Sequence, residues 1–178
     1  MALYLVESLL DGVVSDTAAF ESKVANVKKE LSDKQAALIE VQVSKNLTRA
    51  FFIAESENRN TVSEVLRGQG FPITLIKQVR LVGQELEEVK KQKDVVNYLV
   101  EWNLPENLTM EQYLERKKTN SAFYAEVPEV AFSRTYVCED MTKCLCFYDA
   151  PDESAVKKAR EAVKAPIDTI TEIASKHS

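Results

Sequence analysis

Tyr4-Leu5-Val6-Glu7 and Tyr98-Leu99-Val100-Glu101 are the same tetrapeptide, YLVE, placed 94 residues apart. The spacing continues without insertion through Val43/Val137, Thr48/Thr142, Val62/Val156, Pro72/Pro166, Ile73/Ile167 and Ile76/Ile170, and fifteen of the 76 positions from 4 to 79 match their partners. So many identities at one constant offset indicate a tandem repeat of two diverged copies. The 178 residues then divide into repeat 1 over 1–82, a linker over 83–94 and repeat 2 over 95–178. The linker, GQELEEVKKQKD, is charged and nearly free of large apolar residues, as a solvated segment or short connecting helix would be.

Each copy has the same grammar. It opens on a short apolar strand, Ala2 to Glu7 or Val95 to Trp102. A helix follows: from Ser15 or Asp16, Phe20, Val24, Val27 and Leu31 recur at helical spacing, and in the second copy Thr109 with Gln112 forms a capping box ahead of Tyr113, Leu114 and Lys117. Two strands then pair through a short polar turn, Leu38 to Ser44 with Thr48 to Ala54, and Phe132 to Cys138 with Thr142 to Tyr148. A second helix starts after Asn58 or Asp152, and a strand after Pro72 or Pro166 closes the copy. The order βαββαβ, twice, predicts an α+β fold of two ferredoxin-like units with antiparallel sheets, stacked as a pseudo-dimeric α+β barrel.

Hairpin register sorts the side chains. Pairing Lys45 with Thr48 puts Ile39, Val41 and Val43 on one face with Ala50, Phe52 and Ala54, and Glu40 and Gln42 on the other with Phe51 and Ile53. The same register in the second copy places Ser133, Thr135, Val137, Cys144, Cys146 and Tyr148 toward the helices. Arg134, Tyr136, Cys138, Leu145 and Phe147 then face away from them. A face that mixes large apolar and hydrogen-bonding groups suits an interface or a ligand cleft. Glu7 and Glu101, retained in both copies, join Arg134 and Tyr136 as candidate ligand-binding residues.

Composition narrows the chemistry. With 45% hydrophobic residues the chain can build a packed core, which excludes a disordered protein. No apolar run is long enough for a membrane span, and the N-terminus MALYLVESLL lacks the basic residues of a secretory signal, so a cytoplasmic protein without a membrane partner is expected. A formal charge of −5 argues against nucleic acid as a partner. Ten Lys+Arg balance ten Asp+Glu over residues 1–80, whereas thirteen face eighteen over 81–178, so the deficit belongs to the later half. The single histidine, His177, is read as part of a frayed tail, and it removes most imidazole-based catalysis and multi-histidine metal sites. Cys144 and Cys146 share a strand face and Cys138 points to the other, a poor geometry for three thiolates on one metal. The phosphate loop, dinucleotide glycine motif, nucleophile elbow and zinc-protease signatures are all absent.

Residues Phe132 to Ile173 carry Tyr136-Val137, Glu139-Asp140, Cys146-x-Tyr148, Ala150-Pro151-Asp152, Val156 and Pro166-x-Asp168-x-Ile170. With YLVE ahead of it, this stretch resembles a small bacterial family of ferredoxin-like domains of unknown function that is represented by a nickel-binding protein. Repeat 1 keeps the apolar skeleton but has Phe52, Ala54 and Glu57 at the positions of Cys146, Tyr148 and Pro151, as a degenerate copy would. Family members are usually single domains that dimerise, so the resemblance implies a fused dimer and a divalent metal, nickel, as cofactor. The family's frequent histidine two residues before the motif tyrosine is Arg134 here, and a guanidinium is no nickel donor. Glu101 remains as a metal candidate, with Cys146 behind it because its strand face points toward the helices.

Three functions fit this reading. The first is a non-catalytic binding protein for a metal or small ligand, with its site between the two sheets. The second is a structural or interaction module that pairs with a protein partner or with another copy of itself. The third is a cofactor-independent α+β-barrel enzyme that uses Tyr136 and Arg134 near a carboxylate.

Overall fold

The computed structural model describes residues 1–91 and 95–174. His177 and the last residues of the linker lie outside them. The described residues gather into two compact units, one of residues 1–79 with 89–91 and the other of residues 80–88 with 95–174.

The first unit runs β1 (Ala2–Leu9), α1 (Thr17–Asp33), β2 (Ala37–Val43), β3 (Arg49–Ser56), α2 (Arg59–Gly68) and the start of β4 (Leu75–Val82). All pairings are antiparallel: β1 lies between β3 and β4, and β2 adds to the far side of β3. Asp16 caps α1 by accepting the Ala19 amide at 2.8 Å, and Asn58 caps α2. One face of the sheet packs Val6, Val41, Phe52 and Ala54 against Phe20, Val27 and Leu31 of α1 and Val62, Val65 and Leu66 of α2. Phe52, Phe71 and Phe20 interlock at its centre, with ring centroids 5.0 to 6.5 Å apart.

In the second unit β5 (Tyr98–Asn103), α4 (Met110–Asn120), a 3-10 turn (Ser121–Glu126), β6 (Ala131–Cys138), β7 (Lys143–Asp149), α5 (Glu153–Ala162) and β8 (Thr169–Glu172) follow one another. Here β5 pairs with β7 and β8, and β6 with β7, again antiparallel. The capping box at the start of α4 is present, with both Thr109 and Gln112 in their expected roles. Inside the stretch expected to be a linker lies the short helix α3 (Leu86–Lys90), whose Val89 is buried. The mixed α+β class is therefore as the sequence indicates. Among the described residues no helix is long and apolar enough to cross a membrane.

Local geometry repeats at the same offset of 94. Helix α2 spans 59–68 and α5 spans 153–162, and β3 and β7 begin at Arg49 and Lys143. Left-handed residues close the hairpins at Leu47 (φ 58°) and Met141 (φ 61°). In each turn a threonine, Thr48 or Thr142, donates to the preceding Asn46 or Asp140. Even the irregularity recurs: both hairpins slip by one residue, between Leu38 and Glu40 and between Phe132 and Arg134. That bulge corrects the expected faces. Val41 and Val43 pair as predicted, but the extra residue falls at Ile39 and Ser133, so Leu38 and Phe132 take the helix-side places assigned to them.

Candidate functional site

The four residues expected to bind ligand are all buried, and each has a partner within its own unit. In the first unit Glu7 Oε1 accepts from Arg49 Nη2 at 2.8 Å. In the second, Glu101 Oε1 accepts from Lys143 Nζ at 2.7 Å. Arg134 donates to Ser133 Oγ at 2.7 Å, and its guanidinium lies 5.6 Å from the Phe147 ring centroid. Tyr136 meets the same ring edge-on at 6.1 Å. Glu101 and Tyr136 both stand opposite Leu145, on the strands either side of β7, and Arg134 stands opposite Phe147. These three therefore share the sheet face turned away from the helices. Cys146 is on the other face, so the structure does not bring together Glu101 and Cys146, the pair expected to hold a metal.

The helix-side face of the second unit joins Cys146, a metal candidate from the sequence, to Arg160, which the sequence reading did not single out. Where the first unit has Phe52, Ala54 and Leu66, the second has Cys146, Tyr148 and Arg160. Arg160 sits on α5 among Ala155, Val156 and Ala159, on the stripe that faces the core, and is 2% exposed. Its Nη1 donates to Cys146 Sγ at 3.3 Å and to Tyr148 Oη at 3.1 Å, and its Nη2 to the Pro166 carbonyl. Its Nε has no hydrogen-bond partner among the described residues. A buried guanidinium with an idle donor is costly unless something else occupies it.

Around that group lies a cavity of about 30 Å³, lined by Trp102, Tyr113, Arg116, Lys117, Tyr124 and Cys146 among others. Three of its lining residues are cationic and none is a carboxylate. Helix α4 supplies Tyr113, Arg116 and Lys117 from successive turns of one face. Arg116 is held over the Trp102 ring and donates to the Lys164 carbonyl, and Lys117 lies 4.3 Å from the Phe132 ring centroid. Tyr124 and Tyr148 share a hydrogen bond of 2.6 Å, and Thr135 Oγ1 donates to Cys146 Sγ at 3.2 Å.

These contacts separate the two thiols. The hydrogen bond from Cys144, then the charges of Lys117 and Arg160 and the Thr135 hydroxyl, hold the Cys146 thiol well below its usual range despite burial. Its partner Cys144 is pushed up by that same hydrogen bond and by burial. Burial likewise raises Tyr113 and Tyr148, and pushes Tyr124 up to about 12. Arg160 stays charged because Cys146 and Tyr148 offset its desolvation. Arg160 was legible in the sequence: a cation four residues after Val156 and one after Ala159 interrupts an apolar helical stripe.

A family model described as nickel responsive protein SCO4226-like matches residues 98–173. Among curated proteins none matches this chain. Among solved structures, the chlorite-dismutase-like protein TA0507 has a TM-score of 0.60 at 12% identity, covering 98% of this chain and 95% of that one. An anthrone oxidase-like protein has a TM-score of 0.50 at 12% identity, covering 99% and 92%. SCO4226 from Streptomyces coelicolor A3(2) has a TM-score of 0.40 at 16% identity and covers 46% of this chain and 99% of that one. At these identities the first two likenesses show a shared α+β fold.

The donor set does not fit nickel. Among the described residues no group of three or more His, Cys, Asp and Glu side chains could hold a metal ion. Cys146, the softest candidate donor, lies against a guanidinium whose positive charge opposes a cation there.

Proposed function

We propose that this chain is a small-ligand binding protein whose site is the cationic pocket of the second unit, and that its ligand presents a compact oxyanion or carboxylate to Arg160. The observation that carries this reading is the buried Arg160 Nε without a partner, on a residue that lines a cavity with two other cations and no carboxylate. A guanidinium suits planar oxygen acceptors, and charge-assisted bonds of this kind are roughly twice as strong as neutral ones. A cavity of about 30 Å³ admits only one such head group, while Trp102 and the stem of Lys117 offer apolar contact to whatever follows it.

Titration of the full chain with formate, acetate and inorganic phosphate at low ionic strength tests this. One anion is expected to bind with one-to-one stoichiometry, and Arg160→Leu to abolish the binding. Absence of heat for all three, or equal binding by Arg160→Leu, overturns it.

The two units are best read as the products of a tandem duplication of a ferredoxin-like domain. The recurrence at offset 94 of helix limits, left-handed turn residues, the hairpin bulge and the Glu–cation pairs Glu7–Arg49 and Glu101–Lys143 supports this. On that reading the second copy kept a ligand pocket under its helices, and the first filled the equivalent space with Phe52, Phe71 and Leu66.

A further inference from the structure

We infer that Cys146 is a hydroperoxide-reactive thiolate, held by Arg160 and Thr135, with Cys144 as the thiol that closes a disulfide onto it. The inference uses the proposed pocket but not anion binding, so either can fail alone.

Charge balance is the first ground. Arg160 is buried and no carboxylate lines its cavity, yet a buried cation needs a counter-charge. Arg160 Nη1 reaches two ionisable groups, Tyr148 Oη and Cys146 Sγ, of which the thiol is the more acidic, and Thr135 Oγ1 donates to the same sulfur. Two donors on one sulfur stabilise a thiolate, which is the reactive form. The lowered Cys146 and raised Cys144 thiols have the corresponding directions. The idle Nε sits on the same guanidinium and is a free donor for the oxygen that leaves. The cavity is small enough to favour a hydroperoxide over larger oxidants.

The chemistry closes without another redox partner. The thiolate sulfur attacks one peroxide oxygen, an S–O bond forms, the O–O bond breaks, and the departing hydroxide or alkoxide takes a proton to leave as water or an alcohol. Cys146 is then a sulfenic acid. The Cys144 sulfur attacks it, forming an S–S bond and losing its own proton to the departing hydroxyl as water. Cys144 and Cys146 are two apart on one strand face, so their Cα atoms are about 6.6 Å apart, at the upper end of the range a disulfide spans, and their Cβ atoms stand about as far apart, so the bond closes only when β7 bends locally out of its strand geometry.

The test mixes the reduced full chain with one equivalent of hydrogen peroxide and follows free thiols, intact mass and the Cys144–Cys146 peptide, with dimedone to trap sulfenic acid. The expected product has lost two hydrogens and links Cys144 to Cys146, at a rate roughly tenfold or more above free cysteine. Cys144→Ser is expected to stop at a dimedone-trapped Cys146, and Arg160→Leu to slow the reaction by about tenfold. Should Arg160→Leu not fold, Thr135→Val removes the other donor and is expected to slow oxidation several-fold. Oxidation of Cys146 no faster than free cysteine, or an unchanged rate in the folded donor variants, overturns the inference. Oxidation that persists when no anion binds overturns only the proposed ligand. Anion binding without oxidation overturns only the thiolate.

Discussion

Arg160 Nη1 donates to Cys146 Sγ at 3.3 Å, and the positions 94 residues earlier are Leu66 and Phe52, packed in an apolar core. The same framework thus carries a charged pair in one unit and hydrocarbon in the other. Replacing a whole buried ion pair by hydrophobic residues is often close to neutral, whereas removing one partner strands the other. Arg160→Leu is therefore expected to lose up to about 3 kcal/mol, limited because the Cys146 thiol can take up a proton once its cation is gone. Arg160→Glu, which buries an anion beside the thiol, is expected to lose about 3–5 kcal/mol. Urea unfolding of the three proteins checks both.

Stability should depend on pH with opposite signs on the two sides of a maximum. Cys146 is depressed in the fold, so its contribution is complete above the ordinary thiol value of about 8.5 and is lost as pH falls through the lowered value. Cys144 is raised, so its contribution is complete below about 8.5 and is lost above it. Tyr124, pushed up to about 12, and the raised Tyr113 and Tyr148 add losses above the ordinary tyrosine value of about 10. Midpoints of denaturant unfolding are expected to rise from pH 6 toward about 8.5 and to fall beyond 10. In Cys146→Ser the acid-side slope should be reduced.

Helix α4 carries Tyr113, Arg116 and Lys117 into the pocket, and its start is fixed by Thr109 Oγ1 on the Gln112 amide at 3.1 Å and the returning Gln112 bond at 3.0 Å. Thr109→Ala is expected to cost about 1 kcal/mol. It should also weaken anion binding, because the first turn that positions Tyr113 frays. Hydrogen exchange of the first turn of α4 would register it.

Gly83 has φ +94°, and a Cβ there would stand 2.9 Å from Phe132 Cε2. Phe132 stacks on Tyr124 with centroids 5.3 Å apart and meets Tyr148 edge-on. Gly83→Ala is expected to destabilise by about 1–3 kcal/mol, from left-handed strain together with the displaced ring. A shift in the near-ultraviolet circular dichroism of the tyrosines should accompany the loss.

Periodicity and punctuation made most of the local structure legible. YLVE, the Thr109–Gln112 box, the Asn58 and Asp152 caps and the polar hairpin turns all mark elements found where they were expected. The bulges at Ile39 and Ser133 were not legible, because a one-residue slip leaves no compositional trace between Leu38 and Glu40. All of the site but Cys146 was missed for a different reason. Conserved spacing drew attention to Glu7 and Glu101, whose partners Arg49 and Lys143 are conserved in charge at the same offset, as buried structural pairs can be. The pocket is marked instead by where the two units differ at the offset of 94, at Phe52/Cys146, Ala54/Tyr148 and Leu66/Arg160, and those differences gain meaning only once helix and strand face each other.

The most direct measurement is the thiolate absorbance at 240 nm of the full chain as pH is raised, compared with Cys146→Ser and Arg160→Leu. Of the groups around Cys146, the Cys144 hydrogen bond, Lys117, Arg160 and Thr135 favour its anion against the burial that opposes it, and Tyr113, Tyr124 and Tyr148 also face it. The account predicts a one-thiolate step below the ordinary thiol range, absent in Cys146→Ser and moved upward in Arg160→Leu. A step at or above about pH 8.5 in the unsubstituted chain, unaffected by Arg160→Leu, would contradict it.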